Sequence, residues 1–193
     1  MIFKFEDILL THTECDQIID LVSHIGLTQA TVSGYGASDR VIDPCRTSHN
    51  LKLYYGDNNL LDDIHDRIAN IVNKQGVNVE IEVNRYYIGQ HFLSHCDFLP
   101  PIRFANTGGQ RLYSCVIYLN DNFEGGETHF SNLSKVIIPT KGKAVLWRNC
   151  IEGTSEPDYL SLHESLPVIS GEKWALIAWI RESEFKKLPQ TTN

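Results

Sequence analysis

His95-Cys96-Asp97 sets an imidazole and a carboxylate one residue apart. In an extended segment alternate side chains share a face, so His95 and Asp97 point one way and Cys96 the other. That pair is two-thirds of the 2-His-1-carboxylate set that holds non-heme Fe(II) and leaves coordination positions open. The triplet alone is weak, because so short a pattern arises by chance. A second copy, His12-Thr13-Glu14, shows why. It lies within Thr11-His-Thr-Glu14, a capping box at the start of a predicted helix, where the glutamate reaches back to free amides.

A third ligand must come from a distant segment. His163, in Ser161-Leu-His-Glu-Ser-Leu-Pro167, fits because alternation places Leu162 and Glu164 on the opposite face. A core histidine with no ligand role is the competing reading there. His91, His129 and His49 are rivals, and strand geometry alone does not exclude His91, four residues before His95. Lys173 points to the rest of the chemistry. It opens an apolar run over 173–180 that should be buried, and a buried lysine needs an anionic partner or loses its charge. A cosubstrate with a carboxylate tail meets that need; a lysine snorkelling at a strand end is the alternative.

The elements that must position these groups can be read from periodicity. Ile18, Leu21, Val22 and Ile25 form the stripe of a helix that opens at Thr11 and stops at Gly26. Residues 28–53 read as loops closed by a short strand, and 28–47 and 99–109 are expected to flank the mouth of the site. A second amphipathic helix is expected over 59–74, with Leu60, Leu61, Ile64, Ile68, Ile71 and Val72 inward and His65 on its solvated side. From residue 77 the period becomes two, with Val79, Ile81 and Val83 on one face. Further strands are expected over 111–119, 127–130, 136–138, 143–147, 159–167 and 173–180. The predicted fold is α+β, mainly β. A double-stranded β-helix (a cupin-like jelly roll) spans about 77–182, with helices from 11–76 packed on one sheet. One domain, 1–193, ends in a short tail.

Length and composition suit a globular chain, with 42% hydrophobic and 10% aromatic residues. The net charge of −7 argues against nucleic acid or an anionic membrane as partner. No stretch approaches the ~20 apolar residues that a bilayer span needs, and the opening residues meet acid at once, which predicts no cleaved leader. Five cysteines without a Cys-x-x-Cys pair read as reduced thiols in a cytoplasmic protein, most of them core residues.

Seven ordered segments carry a resemblance to a family. They are Arg85-Tyr86-x-x-Gly89-Gln90-x-Phe92-x-x-His95-x-Asp97-Phe98, Gly108-Gly-Gln-Arg111 leading to Tyr118-Leu-Asn120, Phe123-Glu-Gly-Gly-Glu-Thr128-x-Phe130, Pro139-x-Lys-Gly142, Ser161-Leu-His163, Pro167-Val-x-x-Gly171-x-Lys173-Trp174 and Trp179-Ile-Arg181. Together they resemble the prolyl 4-hydroxylase group of Fe(II)/2-oxoglutarate dioxygenases, in its compact, free-standing type. The resemblance implies that His95, Asp97 and His163 hold Fe(II). It implies that Lys173 pairs with the distal carboxylate of 2-oxoglutarate, beside Thr128, Tyr86 and Tyr118. A substrate proline would lie between Phe92 and Trp179, and Arg111, Arg46, Ser48 and Arg181 match positions that touch the substrate peptide. Phe92 departs from the more usual tyrosine, which keeps ring packing and loses a hydrogen bond. The implied reaction hydroxylates a prolyl residue of a peptide or protein, consumes O2, releases succinate and CO2, and uses ascorbate as reductant. A free amino acid or another side chain is the alternative substrate. A non-catalytic jelly-roll module and a zinc hydrolase are alternative classes, and the latter leaves Lys173 and Thr128 without a task. The oligomeric state stays open, with a monomer favoured.

Overall fold

The computed structural model describes residues 2–33, 40–73, 79–100, 108–154 and 156–183. In chain order its strands are β1 (Phe3–Ile8), β2 (Thr28–Gln29), β3 (Val32–Ser33), β4 (Arg40–Val41) and β5 (His49–Leu53), then β6 (Val79–Tyr86), β7 (Phe92–His95) and β8 (Arg111–Tyr118). They continue as β9 (Glu124–Gly125), β10 (Thr128–Phe130), β11 (Lys135–Ile137), β12 (Lys143–Arg148), β13 (His163–Ser165), β14 (Val168–Ser170) and β15 (Lys173–Arg181). The helices are α1 (His12–Ile25) and α2 (Asn59–Ile71). A seven-stranded antiparallel sheet runs β1-β12-β8-β15-β6-β5-β2, and a four-stranded sheet runs β11-β10-β13-β7. This is the expected jelly roll with helices on one sheet.

Period two divides the core. Val79, Ile81 and Val83 of β6, Cys115 and Ile117 of β8, and Leu176, Ala178 and Ile180 of β15 meet Ile18 and Val22 of α1 and Ile64 and Ile68 of α2. Fully burying each of the Val, Leu and Ile side chains among them is worth about 1.5–3 kcal/mol, which holds the helices to the outer face. The other face of the same strands sends Val116, Tyr118 and Ala175 toward Phe130, Ile137 and Trp147. The site therefore lies on the inner face of the large sheet, with the small sheet opposite.

The capping box is present: the Thr11 hydroxyl accepts the Glu14 N–H and Glu14 accepts the Thr11 N–H. Glu14 also accepts a bond from Arg67 of α2 at 2.7 Å, which ties the helices together and accounts for the His12 triplet without metal.

The structure differs from expectation in several places. β1 was not anticipated; its register shift between Phe3 and Phe5 turns Phe3 to the inner core and Phe5 to the helix-side core. The strand expected over 159–167 begins instead as a 3-10 turn, Tyr159–Ser161, capped by Asp158, and only His163–Ser165 is extended. His65 is half-buried, accepting the Val79 N–H at 3.3 Å and packing on Tyr55, because the start of β6 runs beside it. His91 precedes β7, in an irregular segment that follows the turn at Ile88 and Gly89, and is not part of that strand. Parts of the two loops expected at the mouth, 34–39 and 101–107, lie outside the described residues, as does the end expected for the second helix. All five cysteines are free thiols, with Cys15, Cys115 and Cys150 buried. No described helix is long and apolar enough to cross a membrane.

Candidate active site

β7 and β13 pair antiparallel with His95 opposite His163, and the two rings lie 4.3 Å apart. Asp97, just beyond β7, stands between them. Its Oδ1 is 3.8 Å from His95 Nε2 and its Oδ2 is 3.8 Å from His163 Nε2. One ligating atom from each residue falls within 4.8 Å of the others. The backbone sets both tautomers. His95 Nδ1 donates to Leu93 O at 2.7 Å and His163 Nδ1 to Ser161 O at 2.8 Å, so each Nε2 lone pair is free to bind a metal. Burial, with the His163 ring beside it, pushes His95 down to about 3, so its imidazole is neutral. Burial alone would raise the Asp97 pKa, yet His163, His95, Arg111 and the Ser114 hydroxyl hold its carboxyl well below the usual range. Two imidazole Nε2 atoms and a carboxylate are the donor set that a divalent iron takes.

The rival histidines do not join them. His91 Nδ1 contacts Gly89 O at 3.2 Å, His129 contacts Glu164 at 2.8 Å, and His49 packs edge-on against Tyr87. Among the described residues, the trio is the one group placed to hold a metal.

The trio opens into a cleft that Lys173 also lines. Lys173 is 2% exposed and donates to Gly126 O and Ser165 Oγ, each at 2.7 Å. The Tyr86 and Tyr118 rings lie 5.0 and 5.7 Å from its Nζ. Both acceptors are neutral, and no described carboxylate pairs with the ammonium. Burial pushes Lys173 down to about 7, against the pull of Glu127. Gly126 has φ +66, and a Cβ there would sit 3.1 Å from Lys173 Cδ, so glycine makes room for the lysine. Thr128 lines the same cleft and accepts the Tyr118 hydroxyl at 2.7 Å, while Tyr118 itself stays behind the wall. These residues fit an anionic cosubstrate: the cleft supplies a cation and withholds its counter-charge.

The predicted substrate contacts divide. Phe92 stacks on His95 with centroids 3.6 Å apart, and Arg46 lies 4.9 Å over the Phe92 ring. Trp179 lines the cleft, with the Arg111 guanidinium 3.8 Å above it. Among the described residues, Trp179 Nε1, Arg46 Nε and Arg111 Nε are buried without acceptors, while Arg111 Nη2 donates to Glu80 at 3.3 Å. Ser48 and Arg181 depart from expectation. Ser48 is fully buried and donates to Asn84 at 3.4 Å. Arg181 is spent on Glu80 at 2.8 Å and on Gly109 O at 2.9 Å, so neither it nor Ser48 faces a peptide.

Sequence reasoning missed Glu82 and Asn84, which hold Arg46 against the cleft wall. The signal was the polar alternation of β6. Such a face ordinarily meets water, but here it is covered by the small sheet and Arg46. The Arg46–Glu82 ion pair is almost wholly buried. Glu82→Ala is therefore expected to strand a guanidinium and destabilise the protein by about 3–5 kcal/mol, read as a lowered urea midpoint. An unchanged midpoint would show that Asn84 and the Thr31 carbonyl, which accepts Arg46 Nη1 at 3.3 Å, suffice to hold Arg46.

Comparison with known proteins bears on the same strands. The chain is 28% identical to prolyl 4-hydroxylase 2 of Arabidopsis thaliana, over 93% of this chain and 67% of that protein. It is 32% identical to prolyl 4-hydroxylase 1 of the same plant, over 90% and 66%. It superposes on the 2-oxoglutarate complex of the viral collagen prolyl hydroxylase of Paramecium Bursaria Chlorella virus-1 with a TM-score of 0.74 and 28% identity, covering 91% of this chain and 93% of that one. Residues 81–181 match the family described as the 2OG-Fe(II) oxygenase superfamily. That stretch begins on β6 and ends with β15, so it carries the histidine pair, the carboxylate and the lysine in one run: the chain belongs to the 2OG-Fe(II) oxygenase superfamily.

Proposed function

We propose that this chain is a prolyl hydroxylase acting on a proline-containing peptide or protein. The observation that carries the reading is Lys173, a buried cation with neutral partners in the cleft that holds the His95-Asp97-His163 trio. Fe(II) and 2-oxoglutarate, when bound, supply the oxidative chemistry: the cosubstrate is decarboxylated to succinate and CO2, and one oxygen atom of O2 enters a C–H bond.

His95, Asp97 and His163 hold the metal and leave it open to the cosubstrate. Lys173 receives the distal carboxylate, with the Thr128 hydroxyl beside it. Val116, Trp147, Ala175 and Ile177 give the cleft an apolar lining that keeps water from the reacting groups. Phe92 and Trp179 form aromatic walls that suit a pyrrolidine ring. The similarity to named prolyl hydroxylases, a collagen prolyl hydroxylase among them, supports a peptide over a free amino acid.

The test incubates the protein with Fe(II), ascorbate and 2-oxoglutarate, with and without proline-rich peptides. Succinate is expected to rise with peptide, matched by hydroxyproline in the product. Succinate that rises equally with free proline, or with no peptide dependence, would remove the peptide reading.

A further inference from the structure

We infer that Ser114 and Asn149 are positioning residues for Asp97, fixing which carboxylate oxygen is offered to the metal; this rests on the reading that Asp97 is a ligand. Ser114 lies on the inner face of β8, in register with Trp147 on β12 and Trp179 on β15. It is fully buried beside the apolar run Cys115, Val116 and Ile117, where a hydroxyl is costly unless bonded. Its Oγ lies 2.6 Å from Asp97 Oδ2 and 2.8 Å from Asn149 Nδ2.

The direction of these bonds follows from counting protons. An ionised carboxylate only accepts, and a serine hydroxyl has one proton to give. Ser114 must therefore donate to Asp97 and can only accept from Asn149, whose amide presents its NH2. Among the described residues the Asn149 Oδ1 atom is buried without a partner, as expected if this residue is kept for its donor. Its backbone is fixed as well: the N–H donates to Leu112 O and the C=O accepts the Asp158 N–H, both at 2.9 Å. A rigid donor thus aims the serine proton at Oδ2. Oδ1, which faces His95 Nε2, is left as the unencumbered oxygen. Without the serine hydroxyl, Asp97 is free to turn and offer both oxygens.

Co(II), whose visible spectrum reports its ligand set, serves as the probe for titration into the apo protein. Ser114→Ala is expected to weaken Co(II) binding about 10- to 100-fold, the usual effect of removing a partner behind a metal ligand, and to alter the absorption bands. Ser114→Thr, which keeps the hydroxyl, recovers most of the loss. Asn149→Ala weakens binding less, since Ser114 keeps its proton and loses only its orientation. A melting curve of each apo variant separates this from general damage. A Ser114→Ala protein that melts early but binds Co(II) like the wild type, with the same spectrum, overturns the inference. If Ser114→Ala does not fold, Asn149→Ala decides, and unchanged affinity and spectrum there overturn it. Failure of the underlying ligand assignment looks different: His163→Ala would then leave Co(II) binding intact.

Discussion

His163→Ala is expected to abolish turnover and to weaken metal binding by more than the roughly 10- to 100-fold that loss of an outer partner costs. Among the described residues only three protein ligands are available, and His163 and His95 face each other across the β7–β13 pair. Asp97→Ala and His95→Ala should do the same. His91→Ala and His129→Ala should leave metal binding unchanged, because their rings contact Gly89 and Glu164 outside the trio. Calorimetric titration of Fe(II) or Co(II) into each variant checks the set. A His91→Ala protein that loses its metal while His163→Ala keeps it would move the third ligand.

Lys173→Ala should raise the 2-oxoglutarate requirement steeply, by about 2–5 kcal/mol, since a carboxylate is left in a buried cleft without its cation. Metal affinity measured without cosubstrate should barely move. Lys173→Arg should recover part of the loss, limited by a larger planar head near Gly126. The same residue gives the site a pH signature. Burial holds Lys173 at about 7 in the unliganded protein, and a bound carboxylate favours the ammonium. Cosubstrate binding should therefore take up a proton above pH 7, and affinity should fall by up to about tenfold per pH unit there. Stability of the unliganded protein has the opposite sign. The folded value lies below the ~10.4 of an unfolded lysine, so the unfolded chain binds more protons between pH 7 and 10. This group then makes the unliganded fold more stable as pH rises through that window. Titrations of 2-oxoglutarate at pH 6.5, 7.5 and 8.5 in two buffers of different ionisation enthalpy would show the uptake. A flat profile in the wild type, or unchanged affinity in Lys173→Ala, would mean that the lysine does not receive the cosubstrate.

Much of this was legible in the chain because it depends on neighbours in sequence. An extended backbone puts His95 and Asp97 on one side whatever lies around them. The Thr11–Glu14 box declares its helix, and the apolar run from Lys173 to Ile180 declares a strand buried on both faces. The ordered motifs resembled those of a family, and the match over 81–181 bears that out.

The tertiary structure decided which distant groups meet. The sequence offered four histidines for the third ligand, and pairing of β13 with β7 selected His163. Arg181 and Ser48 looked free to touch a peptide, yet Glu80 and Asn84 claim them. Glu82 and Asn84 alternate with the apolar residues of β6, and the fold turned them into the support for Arg46. Ser114 and Asn149 are 35 residues apart and carry no local sign of their bond. The reason is physical: period two divides a strand into two faces, but only the second sheet decides which face loses its water. A buried polar group then takes whichever partner the register brings within reach.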